Sequence, residues 1–249
     1  MLGFASAPSM LPAPAHAVSL LRDARLARST RPFLARGGSR RVHCPGCRLV
    51  TSHCMCLLRP QVATRAGVCL LMHDAEPLKP SNTGWLVADV VADTHAFGWA
   101  RTEADPALLA LLSDPQRQPY VVFPGEFADP ARVVHAVEPG ARPLFVLLDA
   151  TWSEARKMFR KSPYLDRFPV LSLEGGEASR YRLRRSRRGG HFCTADVAAQ
   201  CLDLAGEGVA ADALQDWLDV YSERYLLAMH QRPVDEASAA HVRLQTLME

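Results

Sequence analysis

Three clusters in this sequence have residue types and spacings able to do chemistry. Asp149 closes an apolar run, residues 144–148, and is followed by Ala150, Thr151, Trp152 and then Glu154. A carboxylate at a strand end, next to the first turn of a helix, sits where open α/β sheets bind ligands. There the first backbone N–H groups of the helix lack intrahelical acceptors and face a crevice. The spacing alone equally describes one more strand–helix unit. Cys44-Pro-Gly-Cys47 and Cys54-Met-Cys56 place four of the seven cysteines in one short stretch. Gly46 permits the tight turn that lets two thiolates face one ion, and Cys54-x-Cys56 would close a tetrahedral set. Structural zinc is the first choice; C-x-C is a less usual half-site, so a redox or iron–sulfur role stays open. His43 and His53 read as bystanders. Residues 179–190 hold six arginines, one tyrosine and no acid. A charge run is by default a solvated face, but guanidinium forks bind phosphate bidentately, and phosphate-backbone binding by a folded RNA accounts better for this one.

The elements that must position these residues follow from apolar pattern and capping. Residues 144–148 carry too little polar alternation for a half-exposed strand and read as a strand covered on both faces, the pattern of a parallel sheet. Thr151 and Glu154 form a T-x-x-E capping box, which starts a helix at Trp152; Ser162-Pro163 stops it. Further strands are expected over residues 67–73, 95–99, 120–123 and 168–173, those at 67–73 and 120–123 buried. Helices are expected over 85–92, 106–112 and 214–229, with another begun by Thr194 as N-cap. His73 and Glu76 have no third ligand near them and fit the bracing of the helix that Asn82 or Thr83 caps. Phe123-Pro-Gly125 makes a tight turn after its strand. The chain contains no G-x-G-x-x-G and no P-loop, so neither a dinucleotide nor a nucleoside triphosphate is suggested.

A chain of 249 residues, nearly half of them apolar, can bury a full core, and its net charge of +3 is too small to be informative by itself. No apolar run reaches the length of a bilayer span. Scattered Cys69, Cys193 and Cys201 fit reduced core thiols and a reducing, cytoplasmic setting. Residues 1–30 are rich in Ala, Pro and Ser and read as a flexible extension or a start codon placed too early. The apolar patch ahead of Arg22, Arg25 and Arg28 also has the form of an amphipathic targeting peptide. A basic lead-in and cysteine module over 31–62, a main domain over 63–232 and a polar, frayed tail over 233–249 complete the expected organisation. The expected fold class is α/β: a mainly parallel sheet with helices on both faces, preceded by a small four-cysteine zinc module.

Asp149-Ala-Thr-Trp152 resembles the D-x-T-W signature of the DTW-domain family, whose members are tRNA-uridine aminocarboxypropyltransferases with S-adenosylmethionine as donor. Other motifs resemble the family between about Arg31 and Met229: the cysteine cluster, which supports zinc, H-x-x-E followed by N-T at His73, Glu76, Asn82 and Thr83, and the F-P-G turn. Ser179-x-Tyr181-x-Leu183-Arg184 and Thr194-Ala-Asp-Val197 complete them, Val197 being a mild departure at a packing position. The resemblance implies a SPOUT-like fold with a C-terminal trefoil knot. It places the donor near Phe123, Pro124, Gly125, Leu147, Leu148, Asp149, Thr151, Tyr181, Leu183 and Thr194. It places tRNA near His73, Glu76, Asn82, Thr83, Arg156, Arg180, Arg182, Arg184, Arg185, Arg187 and Arg188. Cys44, Cys47, Cys54 and Cys56 would hold Zn2+. No membrane or obligate protein partner is implied.

The implied reaction joins uridine N3 to the methylene carbon on the amino-acid side of the sulfonium and releases 5′-methylthioadenosine. Asp149 is the expected acceptor or orienter of the N3 proton, standing open at the lip of the sheet, although the helix dipole beside it favours the ionised form. Trp152 is expected to stack on the uracil or wall off the donor, or simply to pack its helix; Thr151 completes the catalytic set. Three rivals remain: an rRNA acceptor, a methyltransferase releasing S-adenosylhomocysteine, and a zinc-containing RNA-binding protein without catalysis.

Overall fold

A computed structural model describes residues 15–30, 41–173 and 192–247. In chain order its elements are α1 (Ala17–Ala27), β1 (Gly67–Met72), α2 (Gly84–Val90), β2 (Thr94–Gly98), α3 (Pro106–Leu112), β3 (Gln118–Val122), β4 (Val133–Val134), β5 (Pro143–Asp149), α4 (Trp152–Arg160), β6 (Val170–Leu171), α5 (Thr194–Leu204), α6 (Gly208–Met229) and α7 (Ala239–Thr246). The strands form one sheet in the order β2-β1-β5-β3-β6-β4, and every neighbouring pair is parallel. β5 therefore fills the place between β1 and β3, and β6 the place between β3 and β4. Asp149 pairs in register with Met72 and ends the strand at the middle of the sheet.

Side chains alternate across the pleat and build a core on each face. Val68, Leu70, Met72, Phe145 and Leu147 pack with α2, α5 and α6. Cys69, Leu71, Leu144 and Val146 pack with Leu108 and Leu112 of α3 and with Ala155, Met158 and Phe159 of α4. Both faces are covered, which is why these strands read as unbroken apolar runs rather than alternating ones. Leu49 and Met55 of the cysteine segment are buried in the first of these cores. The segment is tied to α6 and its end by Arg224 Nη1, which donates to the Cys54 carbonyl, and by His53 Nε2, 2.9 Å from the Arg232 carbonyl.

Most expected elements form, most with boundaries moved by a residue or two, although the helix expected over 214–229 begins six residues earlier, at Gly208; β4, only two residues long, carried no signal. Four expectations need correction. Residues 17–27 are not a loose extension. They form α1, with Val18 fully buried, the His16 ring edge-on to Trp85 at 4.6 Å, and Arg25 forked onto Asp74 at 2.7 and 2.8 Å. Composition hid this because the helix docks through few residues. Nor is the tail frayed: α7 buries His241 and Leu244, and Arg243 bridges Asp216 and Asp219 of α6 at 2.7 and 2.9 Å. The N-cap of α5 is Cys193 rather than Thr194, because the Cys193 N–H and the Asp196 carboxylate close the capping box. The Thr194 hydroxyl is turned to another task, described below. The strand expected over 168–173 shrinks to β6, because Phe168 leaves the ladder to pack beside Phe159 and Leu165. Among the described residues no helix is long and apolar enough to cross a membrane.

Candidate active site

The carboxyl ends of β1 and β5 set Met72 beside Asp149, while β3 ends at Val122 beside Leu147, and the segments that follow these strands build two unlike structures. The first is a buried polar network. Asp149 is 1% exposed, not open at the lip as expected. Its Oδ2 accepts a hydrogen bond from Asn82 Nδ2 at 2.7 Å and its Oδ1 one from the Thr194 hydroxyl at 2.8 Å. The Asn82 amide reaches Glu76 Oε2 at 3.3 Å, and its Oδ1 accepts from the Trp85 N–H at 3.1 Å, capping α2. Glu76 is fully buried and is also met by the Lys79 ammonium. The Thr83 hydroxyl accepts from the Ala195 N–H at 3.3 Å. Asp149 thus ties the start of α2 to the start of α5 across the end of β5. Gly84 is required by this closeness: a Cβ there would lie 2.4 Å from Asp149 Oδ2.

The second structure is an aromatic wall on the β3 side. Phe123 is stacked between Phe159, at 4.5 Å, and Trp152, at 5.6 Å, with both rings nearly parallel to it. Phe127 stands edge-on to Phe123 and Trp152 at 5.7 Å each, and the Arg156 guanidinium lies over Phe127 at 4.7 Å. Trp152 remains 44% exposed. The Phe123-Pro-Gly125 turn leads into a single 3-10 turn held by the Ser172 hydroxyl, which accepts from the Gly125 N–H at 3.0 Å. Pro124 is exposed and Gly125 half-buried. Between the two structures lies His73, stacked on Trp99 at 6.0 Å with Nδ1 3.4 Å from Glu154 Oε1. Burial works to raise the Glu154 carboxyl, but hydrogen bonds from the Thr151 hydroxyl and N–H, helped by the charges of His73 and Lys79, hold it below the ordinary carboxylate range. The α4 capping box therefore forms as expected, and it already occupies one of the backbone donors that were expected to face the crevice.

Of the expected donor residues, Leu147 is committed to the core on the α2–α5–α6 face, and Leu148 packs against the core on the other face. Thr151 is exposed and Thr194 half-buried. Tyr181, Leu183 and the arginines at 180, 182, 184, 185, 187 and 188 lie outside the described residues. His73, Asn82, Thr83, Asp149 and Thr194 do converge, whereas Arg156 stands on the exposed wall. Sequence reasoning missed Phe127, Trp99 and Ser172. Aromatic residues two and more positions beyond a turn carry no spacing signal, and a lone serine carries none.

The four cysteines expected to bind a metal do gather, their sulfur atoms all within 4.8 Å of one another. Cys44 lies 3.5 Å from both Cys54 and Cys56, and Cys47 lies 3.9 Å from Cys54. Four sulfurs at about 2.3 Å from one ion would be about 3.8 Å apart, so the set fits a tetrahedral ion with little adjustment. The Cys54 contact favours ionisation of Cys47, yet the neighbouring Cys56 and burial outweigh it and push the Cys47 thiol up to about 12. Such a cluster of thiols gives up its protons when a cation takes their place.

Comparison with known proteins agrees with the sequence motifs. A curated relative, tRNA-uridine aminocarboxypropyltransferase 2 of Drosophila melanogaster, is 29% identical over 174 residues, 66% of this chain and 66% of the relative. The match therefore spans just under two thirds of that relative's length. No solved structure matches the chain. The DTW domain profile matches residues 41–226, a stretch that takes in the four cysteines, the buried network, the aromatic wall and most of α6. On that extent, the chain belongs to the DTW domain family.

Proposed function

We propose that this protein transfers the 3-amino-3-carboxypropyl group of S-adenosylmethionine to N3 of a uridine in tRNA. The observation that carries the reading is the family match over residues 41–226, with Asp149-Ala-Thr-Trp152 at the carboxyl end of the central strand. The relative named as a tRNA-uridine aminocarboxypropyltransferase points to the same acceptor. In the reaction the N3 lone pair attacks the methylene carbon on the amino-acid side of the sulfonium. The carbon–sulfur bond breaks, its electron pair stays on sulfur as the thioether of 5′-methylthioadenosine, and the N3 proton leaves. The sulfonium activates three carbons alike, so the enzyme selects among them by position.

In this reading the roles fall differently from those expected from the sequence. Asp149, buried and engaged at both oxygens, serves as a positioning residue that fixes the starts of α2 and α5 around the donor. The N3 proton goes to the rim instead, where the half-buried His73 imidazole beside the ionised Glu154 is the acceptor in this reading. Trp152 offers an exposed indole face, supported from behind by Phe123, on which a flipped uracil can stack. Arg156, Lys157, Arg160 and Lys161 lie exposed on or just beyond the same helix and give the tRNA backbone a cationic approach. The arginines of 179–190 would extend it. The donor is placed between the Phe123–Gly125 turn and the start of α5, within a SPOUT-like, trefoil-knotted end. Insertion of β5 and β6 between earlier strands supports a non-sequential topology of that kind. The four cysteines would hold structural zinc, and a tRNA substrate with reduced thiols supports a cytoplasmic protein.

The test is incubation of the purified protein with unmodified tRNA and S-adenosylmethionine, followed by mass spectrometry of nucleosides and small products. An aminocarboxypropylated uridine together with methylthioadenosine is expected. S-adenosylhomocysteine would identify a methyltransferase instead, and binding without either product an RNA-binding protein.

A further inference from the structure

Arg48 follows Cys47 directly and lies in the left-handed region at φ +65°, a conformation strained for a non-glycine residue. The knuckle turn imposes it, with the Arg48 N–H donating to the Cys44 carbonyl at 2.9 Å and the Cys44 N–H to the Leu49 carbonyl at 2.7 Å. From there the side chain runs inward and is 6% exposed, its guanidinium 4.3 Å from the centre of the Trp85 ring. Nη1 donates to the Lys79 carbonyl at 3.1 Å and Nη2 to the Asn82 carbonyl at 3.0 Å. The Tyr221 hydroxyl donates to the Pro80 carbonyl between them. A planar fork reads the direction of two carbonyls at once, so it stabilises one shape of the 79–83 loop over others. That loop carries Asn82, whose side chain holds Asp149 at 2.7 Å.

We infer that Arg48 is a positioning residue that transmits the state of the four-cysteine centre to the candidate active site, by clamping the 79–83 loop in the shape that lets Asn82 brace Asp149. The chain of contacts is short: a metal-binding turn sets the Arg48 backbone, its guanidinium sets the loop, and the loop sets the carboxylate. With the centre emptied, the turn loses its anchor and the loop its clamp. The catalytic consequence rests on the proposed transferase reading; the mechanical coupling does not.

The test is hydrogen–deuterium exchange with mass spectrometry on the full chain, wild type and Arg48→Met, each with and without a chelator, with bound metal measured in parallel. Arg48→Met should keep its metal and speed exchange across residues 79–87 at least tenfold, leaving β5 unchanged. Chelation of the wild type should loosen the same segment, and chelation of Arg48→Met should add little there. Arg48→Lys, which keeps a cation over Trp85 but has no fork, should fall between the two and takes the place of the Met variant if that one fails to fold. In turnover, Arg48→Lys should lower kcat about tenfold with KM for tRNA unchanged. The inference is overturned if exchange at 79–87 does not respond to Arg48. It also falls if chelation loosens that segment as much in the variant as in the wild type, or if β5 loosens along with it. An inactive wild type that still shows the exchange pattern would remove the transferase reading and leave the coupling standing.

Discussion

Asp149 and Trp152 are three residues apart, yet one is 1% and the other 44% exposed, and the two stand for opposite ways of building a site. Around Asp149 the polar groups are covered and answered: Asn82, Thr194, Glu76 and Thr83 spend their hydrogen bonds within the network. Around Trp152 the rings of Phe123 and Phe127 support an indole that is 44% exposed. A buried network of this kind specifies where the chain goes, and a supported, partly exposed ring specifies what can land on it. The motif therefore joins a residue that shapes the site to a residue able to touch a substrate.

Substituting the two residues should separate these roles most sharply. Asp149→Ala leaves the Asn82 amide and Thr194 hydroxyl without their acceptor. Each buried donor left unsatisfied costs about 1–3 kcal/mol. The urea midpoint should fall markedly and activity should go with it. Trp152→Ala removes two ring contacts worth about 0.5–1.5 kcal/mol each and should lower stability less than Asp149→Ala does. It should also weaken productive tRNA binding by about 1–3 kcal/mol, the usual worth of a base stack, with Trp152→Phe recovering part of it. If Asp149→Ala keeps its stability and loses only kcat, the carboxylate is a reacting group after all, and the division drawn here fails.

The buried half extends behind Trp85 to His16, which allows a pH test. Burial, followed by the nearby charges of Arg59 and Arg48, lowers His16 from its ordinary 6.5 to about 3. Between those values the unfolded chain binds a proton that the folded chain does not. Stability should then fall as pH drops below 6.5, by up to about 1.4 kcal/mol per unit. Asp89, with Oδ1 3.5 Å from His16, is displaced upward by burial and acts in the opposite sense. The difference between wild type and His16→Asn isolates the histidine. Urea midpoints at pH 7.5 and 5.5 should diverge more for wild type than for the variant. Equal divergence would mean that His16 is protonated in the folded chain.

What was legible in the sequence follows the same division. The strand under residues 144–148 and the T-x-x-E start of α4 were readable because apolar runs and capping boxes are local signals. The C-x-x-C and C-x-C pairs likewise state their geometry in their spacing. The depth of Asp149 was not readable, because it is set by Asn82 and Thr194, 67 and 45 residues away in the chain. Nor was the docking of α1 and α7: Val18, His241 and Leu244 are single buried residues in polar surroundings, and no period announces them. The role of Gly84 was hidden for a related reason, since only the folded chain shows the carboxylate that a Cβ would strike.

The smallest expected effect belongs to Arg156, and it refines the exposed half of the comparison. Its guanidinium rests on the Phe127 ring, and the group is exposed at the edge of the wall. If it meets a tRNA phosphate, Arg156→Gln should weaken binding modestly and make it less sensitive to salt. The slope of log K against log salt should fall by about one, the share of a single phosphate contact. Stability should hardly change, because an exposed cation over a ring is worth only about 0.5–1 kcal/mol. Titrations of tRNA at several salt concentrations read both quantities. Weaker binding with an unchanged slope would show that Arg156 acts by holding Phe127, and through it Trp152, in place. The cationic approach to the site would then have to begin further along α4, at Lys157, Arg160 and Lys161.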